Sequence, residues 1–190
     1  LYLNLTQRCT ADCVFCTRLT KPVVQGYNLA LDREPTATEV WESIDDVKKY
    51  DEVVFCGFGE PTLRLDVIKE VAKKVKDNGG RVRLNTNGHG NVINKRNILP
   101  ELSGLIDEVS VSLNTDSSEA YDEICQPLPK FRNGIYEKIK EFIEEAKRHI
   151  PDVQASIVTH QNGVDESNCE EIVNKEFGVK YRARRYNIVG

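Results

Sequence analysis

The feature that most constrains the fold is a repeated change of hydrophobic period, from strand-like to helix-like, along almost the whole chain. Short apolar runs alternate with longer segments whose apolar residues recur every three or four positions. Short connections between such units predict a parallel sheet with outer helices, as an open doubly wound sheet or a partial barrel. The six predicted strands cover residues 1–5, 53–56, 81–85, 108–113, 153–158 and 179–186.

The predicted helices lie between these strands and have recognisable ends. Thr36 or Thr38 can cap the first helix, and Asn78-Gly79-Gly80 is a plausible end of the second. We find no low-complexity linker and no repeat of fixed period, so we expect one domain over residues 1–190. The helices are predicted over residues 36–49, 65–78, 97–103, 117–124, 133–149 and 165–177.

Composition narrows the classes of protein that this chain can represent. Hydrophobic residues make up 39% of the chain, which argues against disorder, and a net charge of −4 argues against a broadly basic nucleic-acid surface. No apolar run approaches the roughly 18 residues of a membrane span, and no secretory leader is visible. The chain starts at Leu1 and contains no Met, so we expect residues to precede it. Crowded cysteines favour a metal site in a reduced, cytoplasmic setting over disulfides.

Unusual polar residues and cysteines fall where the predicted strands end. In parallel α/β folds, ligands collect at the carboxyl ends of the strands. We therefore expect these segments to converge on one rim of the sheet. They are residues 9–16, 57–62, 86–88, 114–116, 160–161 and 186–187.

Three cysteines, Cys9, Cys13 and Cys16, form a C-x3-C-x2-C motif directly after the first predicted strand. Three thiolates can hold three corners of a four-iron cluster and leave the fourth iron open, whereas ferredoxin motifs supply a fourth cysteine nearby. An open iron indicates chemistry at the cluster. The alternative is a zinc-binding structural or interaction module, with a fourth ligand such as His89 or His160.

A second motif, Gly57-Phe58-Gly59-Glu60-Pro61, directly follows the second predicted strand. Its glycines allow the backbone to approach a ligand closely, and Pro61 stiffens the turn. Glu60 could accept hydrogen bonds from a ligand ammonium group. The same residues also suit an ordinary strand-to-helix turn with an acidic helix start, so the motif is weak when it stands alone.

Together, the two motifs resemble those of the radical S-adenosylmethionine (SAM) superfamily. The resemblance covers the whole chain, because the six units match the (βα)6 partial TIM-type barrel of that family. Many members have Gly-Gly-Glu-Pro, and this chain keeps the glycine next to Glu60. The resemblance implies an enzyme in which a [4Fe-4S] cluster reductively cleaves SAM. The resulting 5′-deoxyadenosyl radical would then abstract hydrogen from a substrate.

The resemblance also implies a separate binding role for each of the two motifs. Cys9, Cys13 and Cys16 would ligate the cluster, and the methionine part of SAM would chelate the open iron. Glu60 would hold the SAM amino group. The cofactor-binding segment around Glu60 comprises Gly57, Gly59 and Pro61.

Further positions are expected to contact SAM on the same resemblance. Phe15, before the last cysteine, would lie beside the adenine. Thr86 and Asn87 at the third strand, with Ser112 and Asn114 at the fourth, would touch the ribose or carboxylate. Turn chemistry is the alternative role for these polar residues, above all in Asn87-Gly88. No catalytic side chain is predicted beyond the cluster and the SAM site.

More narrowly, Gly26-Tyr27-Asn28-Leu29 and residues 182–190 are similar to the TatD-associated radical SAM proteins. That resemblance implies a short barrel without accessory domains and leaves the substrate open. A wide cavity suits a protein whose glycine becomes a radical, an RNA, or a small metabolite. We also expect an electron donor such as flavodoxin or ferredoxin, and no membrane partner.

The sequence also gives expectations for the remaining cysteines, for His160 and for two arginines near the end of the chain. Cys56 is expected in the core, Cys169 on a helix face, and Cys125 either as a catalytic thiol or as an incidental loop cysteine. His160 is expected to be a polar loop residue. Arg182 and Arg184 alternate onto one face of the last strand, where they could bind an anion or lie in solvent.

Overall fold

Six parallel strands form one sheet in which each strand pairs with the next one along the chain. The structure is a computed structural model that describes residues 1–18, 22–24, 26–159 and 164–185. Because the strand order never reverses, the doubly wound alternative is excluded, and the sequential order is that of a partial barrel. The strands are β1 (Tyr2–Asn4), β2 (Val53–Cys56), β3 (Val82–Thr86), β4 (Glu108–Ser112), β5 (Asp152–Val158) and β6 (Lys180–Arg184).

The sheet register places one apolar row across five strands. Residues that pair directly in parallel strands share a level of the sheet, and here each pairing partner is buried. This row fixes the register, since a slip by one residue would turn the apolar side chains to the opposite face. The row runs through Leu3, Phe55, Leu84, Val109 and Val153.

Helices cover the outer face of the sheet, and the two longest are amphipathic. In α2, the buried side chains recur at helical spacing, as the sequence predicts. Burial of such a face stabilises the fold by about 25 cal/mol for each Å² of apolar surface removed from water. The helices are α1 (Ala37–Glu42), α2 (Leu65–Asp77), α3 (Gly90–Asn94), α4 (Leu99–Leu102), α5 (Ser118–Ile124), α6 (Pro129–Arg132), α7 (Ile135–His149) and α8 (Glu166–Glu171).

The predicted helix over residues 36–49 is wrong in its length. Thr36 caps it through a capping box with Glu39, as its sequence indicates, but α1 ends at Glu42. Asp46 then accepts a hydrogen bond from the Lys48 amide and caps a separate 3₁₀ turn over Val47–Lys49. Local side-chain caps therefore divide a segment whose apolar stripe alone would permit one helix.

Smaller differences concern short elements. Val23–Val24 and Tyr27–Asn28 pair as an antiparallel hairpin that the sequence did not predict. The last helix changes to a π-helical segment over Ile172–Phe177. Strand β6 ends at Arg184, and the predicted strand end at residues 186–187 lies outside the described residues. No helix in the described part of the chain is both long and apolar enough to cross a membrane.

Candidate functional site

The loop over residues 9–16, called the cysteine loop below, lies at the carboxyl end of β1 and against the end of α5. The Asp12 amide donates to the Gln126 carbonyl at 3.1 Å, and the Val14 amide donates to the Ile124 carbonyl at 2.9 Å. Inside the loop, the Cys16 amide donates to the Cys13 carbonyl at 2.9 Å. These bonds fix the loop backbone, while all six cysteines of the chain are free thiols.

Two thiols of the cysteine loop have a hydrogen-bond donor beside the sulfur, and the third contacts another thiol. The Asn87 amide nitrogen lies 3.8 Å from Cys9 Sγ, and Arg18 Nη1 lies 3.9 Å from Cys16 Sγ. The Cys13 thiol contacts the thiol of Cys125. The donors beside Cys9 and Cys16 are of the kind that stabilises thiolates and tunes a metal that they bind.

The donor chemistry of the cysteine loop fits a cluster, although its sulfur atoms are not gathered. Within the described ranges, no three His, Cys, Asp or Glu side chains lie close enough to share a metal ion. The contact with Cys125, followed by burial, raises the pKa of Cys13 well above its ordinary value. Burial, followed by the nearby Glu60 carboxylate, raises the pKa of Cys9 to about 12. Cluster binding would thus require deprotonation of the loop thiols and a closer approach of their sulfur atoms to one another.

The segment over residues 57–61, called the glycine segment below, packs on the backbone that leads into the cysteine loop. A Cβ atom at Gly59 would lie 2.2 Å from the Thr6 carbonyl oxygen and 2.5 Å from that of Arg8. The Glu60 amide donates to the same Arg8 carbonyl at 2.9 Å. The glycine at position 59 is therefore required by a close approach of the chain to itself, next to Cys9.

Glu60 is buried, with 2% of its surface exposed, and its carboxylate is held by this chain. Its Oε1 accepts hydrogen bonds from the Thr62 amide, the Thr62 hydroxyl and the Thr86 hydroxyl at 3.1, 2.7 and 2.7 Å. Its Oε2 accepts one from the Asn87 amide at 2.8 Å. Burial raises the pKa of Glu60, while these bonds oppose the rise. Oε1 thus accepts three of the four bonds and Oε2 only one, so Oε2 is the oxygen that retains capacity for a ligand donor.

Asn87 ties the end of β3 to the cysteine loop. Its Nδ2 donates to Thr10 Oγ1 at 2.9 Å, and its Oδ1 accepts from the His89 amide at 3.0 Å. His89 is fully buried between Thr10 and Tyr121, at 2.7 and 2.9 Å from its two ring nitrogens. Burial lowers the pKa of His89 to about 3, so this ring is neutral. Both nitrogens are engaged, so His89 does not offer the fourth zinc ligand that the sequence left open.

Ser112 and Asn114 meet Arg184 above the end of β5. Arg184 Nη2 donates to Ser112 Oγ at 3.3 Å and to Asn114 Oδ1 at 3.4 Å. The Asn114 amide nitrogen in turn lies 3.5 Å from Cys125 Sγ. Asn114 also has a positive φ of 64°, a conformation that asparagine tolerates better than most residues. The structure thus brings Ser112 and Asn114, which are the two predicted SAM contacts, together with Arg184. Cys125, the thiol that contacts Cys13, belongs to the same cluster.

The other predicted residues occupy simpler positions. Phe15 is half-buried against the core, and Pro61 begins a 3₁₀ turn that Glu60 caps. Cys56 is half-buried at the end of β2, and burial raises its pKa to about 12. Cys169 is buried on α8, as its helical position predicts. His160 lies outside the described residues.

Two neighbours of the cysteine loop were not predicted as functional residues. Arg18 contacts Cys16 and pairs with Asp12, and its charge acts on both Cys9 and Cys16. Its position two residues after the last cysteine was an available signal. The hydroxyl of Tyr121 contacts Nε2 of His89 in the core. No local sequence pattern indicates that contact.

The fold and the site define a class of protein: a six-stranded parallel partial barrel with three free cysteines on the loop after its first strand. The family model of the radical SAM superfamily matches residues 3–175, and the chain belongs to this superfamily. Membership implies an enzyme, and members typically bind a [4Fe-4S] cluster and SAM. The same finding favours a cluster over the zinc module as the use of the three cysteines.

Three relatives come from archaea and bacteria. The uncharacterized protein MJ0804 of Methanocaldococcus jannaschii is 32% identical over 63% of this chain and 35% of its own length. The putative glycyl-radical enzyme activating enzyme MJ1227 of that organism is 28% identical over 86% of this chain and 63% of its own. The dual-specificity RNA methyltransferase RlmN of Wigglesworthia glossinidia brevipalpis is 28% identical over 78% and 38%. The chain therefore spans less than two thirds of each relative.

Solved structures support the fold. Streptococcus suis SuiB bound to S-adenosylmethionine matches with a TM-score of 0.69 at 15% identity, over 97% of this chain and 40% of that chain. Methylornithine synthase (PylB) matches with a TM-score of 0.62 at 14% identity, over 97% and 52%. At these identities the likeness concerns the barrel alone.

Proposed function

We propose that this chain is the core of a radical SAM enzyme and acts on a substrate held above the carboxyl ends of its strands. One observation carries the proposal: the cysteine loop of a superfamily member lies where parallel α/β folds bind their ligands. We further propose that residues 1–190 form one such core domain in a cytoplasmic protein. In this proposal, Cys9, Cys13 and Cys16 hold a [4Fe-4S] cluster, and SAM occupies the open iron.

When bound, the cluster would supply the electron that cleaves SAM into methionine and a 5′-deoxyadenosyl radical. This chain would hold the SAM amino group at Glu60 Oε2, where hydrogen-bonding capacity remains. Thr86 and Asn87 orient that carboxylate through the bonds given above. The remaining cofactor contacts that we propose are those at Phe15, Ser112, Asn114 and the glycine segment.

The test is anaerobic reconstitution with iron and sulfide, followed by SAM and a reductant. We expect a broad absorbance of an iron–sulfur cluster and the formation of 5′-deoxyadenosine. Cys9→Ala, Cys13→Ala and Cys16→Ala should each lose bound iron and SAM cleavage. Cys169→Ala removes a buried thiol on α8 and is the matched control, which should retain both. Zinc in place of iron, or a loaded cluster that never cleaves SAM, would contradict the proposal.

Two relatives suggest two different substrate classes for this chain, a protein and an RNA. MJ1227 is a putative activating enzyme for a glycyl-radical enzyme, and RlmN is an RNA methyltransferase. We favour a protein substrate, because this chain aligns with 63% of the activating enzyme and with 38% of RlmN. A glycyl-radical signal in a partner polypeptide would support this choice, whereas modified RNA would replace it.

Two narrower features belong to the same proposal. The likeness to TatD-associated radical SAM proteins stays a proposal that rests on Gly26-Tyr27-Asn28-Leu29, since residues 186–190 lie outside the described part. The electron donor would be a flavodoxin or a ferredoxin. Reduction of the reconstituted cluster by either donor, measured spectroscopically, tests this expectation.

A further inference from the structure

Arg18 is a largely buried cation that ties two parts of the cysteine loop together. Only 10% of its side chain is exposed. Its Nη1 donates to the Ala11 carbonyl at 2.9 Å and lies 3.9 Å from Cys16 Sγ, while its Nη2 pairs with Asp12. One guanidinium therefore joins the middle of the loop to its last cysteine, and it brings a positive charge close to the thiols.

The charge of Arg18 acts on each of the three thiols that would hold the cluster. It acts on Cys9 and Cys16, and it also acts on Cys13. The carboxylate that pairs with it, Asp12, is about half exposed, so water screens that negative charge more than the buried positive one. We therefore expect the positive member of the pair to dominate at the sulfur atoms.

Arg8 shows a different arrangement one residue before the first cysteine. Its side chain is 63% exposed, and its Nε and Nη2 donate to the two oxygens of Glu34 at 2.6 and 2.9 Å. The carboxylate neutralises this cation, and water screens the charge that remains. Of these two arginines beside the cysteine loop, Arg18 is the one that directs both a hydrogen-bond donor and its charge towards sulfur.

We propose that Arg18 is a positioning residue for the proposed reaction: it acts through the thiolates of the cysteine loop and makes the cluster that they hold easier to reduce. The inference rests on the proposed function for the presence of that cluster. Net charge and hydrogen bonds to sulfur set the reduction potential of an iron–sulfur cluster. Reduction transfers one electron from the electron donor to the cluster, and a nearby cation stabilises the added negative charge.

The experiment measures the reduction potential of the reconstituted full chain by redox titration followed by electron paramagnetic resonance, together with the iron content. Arg18→Gln should retain iron, and its equilibrium constant for one-electron reduction should fall roughly tenfold, a potential lower by about 59 mV. Arg18→Lys keeps the charge without the planar guanidinium and should fall between Arg18→Gln and the wild type. Arg33→Gln removes the same charge at an exposed residue that pairs with Glu39, so this matched control should keep the wild-type potential.

A further variant, Asp12→Asn, separates an effect of charge from a purely structural one. Arg18→Gln and Asp12→Asn break the same ion pair and would loosen the cysteine loop in the same way. An electrostatic role moves the two potentials in opposite directions, because one variant removes the positive charge and the other removes the negative charge. We therefore expect Asp12→Asn to raise the potential above that of the wild type.

Two outcomes would overturn the proposal: equal potentials in Arg18→Gln and the wild type, or shifts in the same direction in Arg18→Gln and Asp12→Asn. Should Arg18→Gln fail to fold or to bind iron, the rise in Asp12→Asn and the smaller fall in Arg18→Lys decide the proposal. A wild-type cluster that is reduced but never cleaves SAM would count against the proposed function alone, and the potentials would still decide the role of Arg18. A wild type that binds no cluster would overturn both.

Discussion

At the scale of single residues, the thiols of Cys13 and Cys125 are the most consequential pair. Cys125 is fully buried, contacts Cys13 and receives a hydrogen bond from Asn114. Once Cys13 binds iron, the adjacent Cys125 thiol is placed to donate to its sulfur, and hydrogen bonds to sulfur raise the reduction potential of a cluster. Cys125 would thus act through Cys13 without binding iron itself.

We predict that Cys125→Ala retains the iron content of the wild type and lowers the reduction potential of the cluster. Cys125→Ser should retain a donor at the same position and fall between the two. Redox titration followed by electron paramagnetic resonance measures the potentials, and Cys13→Ala serves as the control that loses iron. Loss of iron in Cys125→Ala would show that Cys125 is a ligand.

The sequence is enough to single out the three cysteines and Glu60 as candidate site residues, because their motifs are local. It could not predict that the side chain of Glu60 is held by Thr62, Thr86 and the Asn87 amide. Those contacts join residues far apart in the chain. The setting of Arg184 is similar, since its neighbours Ser112 and Asn114 at the end of β4 are about seventy positions earlier and only strand pairing in the sheet brings them together.

At the scale of elements, the contact between the glycine segment and the start of the cysteine loop links two strand ends. The predicted role of the glycines was a close approach to a ligand, and the structure shows a close approach to the Thr6 and Arg8 carbonyls. The positions of the inner strands β2 to β5 were predicted well, since burial on both faces gives a largely apolar pattern. The short helices α3 and α6 were missed, because elements of four or five residues depend on tertiary packing.

We predict that Gly59→Ala lowers the unfolding temperature and displaces the cysteine loop, because its Cβ would overlap two backbone carbonyls. Iron content after reconstitution should fall with it. Gly104→Ala is the matched control: its φ is positive at 75°, yet a Cβ there meets no atom within 4 Å. The control should cost roughly 1 kcal/mol of stability from backbone strain and leave iron content intact. Equal iron loss in both variants would contradict this account.

At the scale of the whole molecule, the sheet has a protected centre and two open edges. Strands β3 and β4 each have a partner on both sides, whereas β1 and β6 each pair on one side in the described residues. The candidate site therefore has residues near both edges of the sheet. The cysteine loop follows β1, and Arg184 ends β6. The rim at the carboxyl ends of the strands, where the candidate site lies, therefore includes both strands paired on two sides and strands paired on one side in the described residues.

We predict that backbone amides of β3 and β4 exchange hydrogen most slowly and those of β1 and β6 fastest. Opening of an edge strand breaks one ladder of hydrogen bonds, whereas opening of a central strand breaks two. Hydrogen exchange followed by mass spectrometry measures this order. Uniform exchange across the six strands would contradict the prediction.

The sequential strand order also has a consequence for synthesis on the ribosome. Each strand pairs with the one made just before it, so the sheet can grow in the order in which the chain emerges. Cys9, Cys13 and Cys16 leave the ribosome before the glycine segment, Asn87 and Cys125 that surround them. A nascent chain therefore exposes the thiols of the cysteine loop until the later strands of the partial barrel have formed.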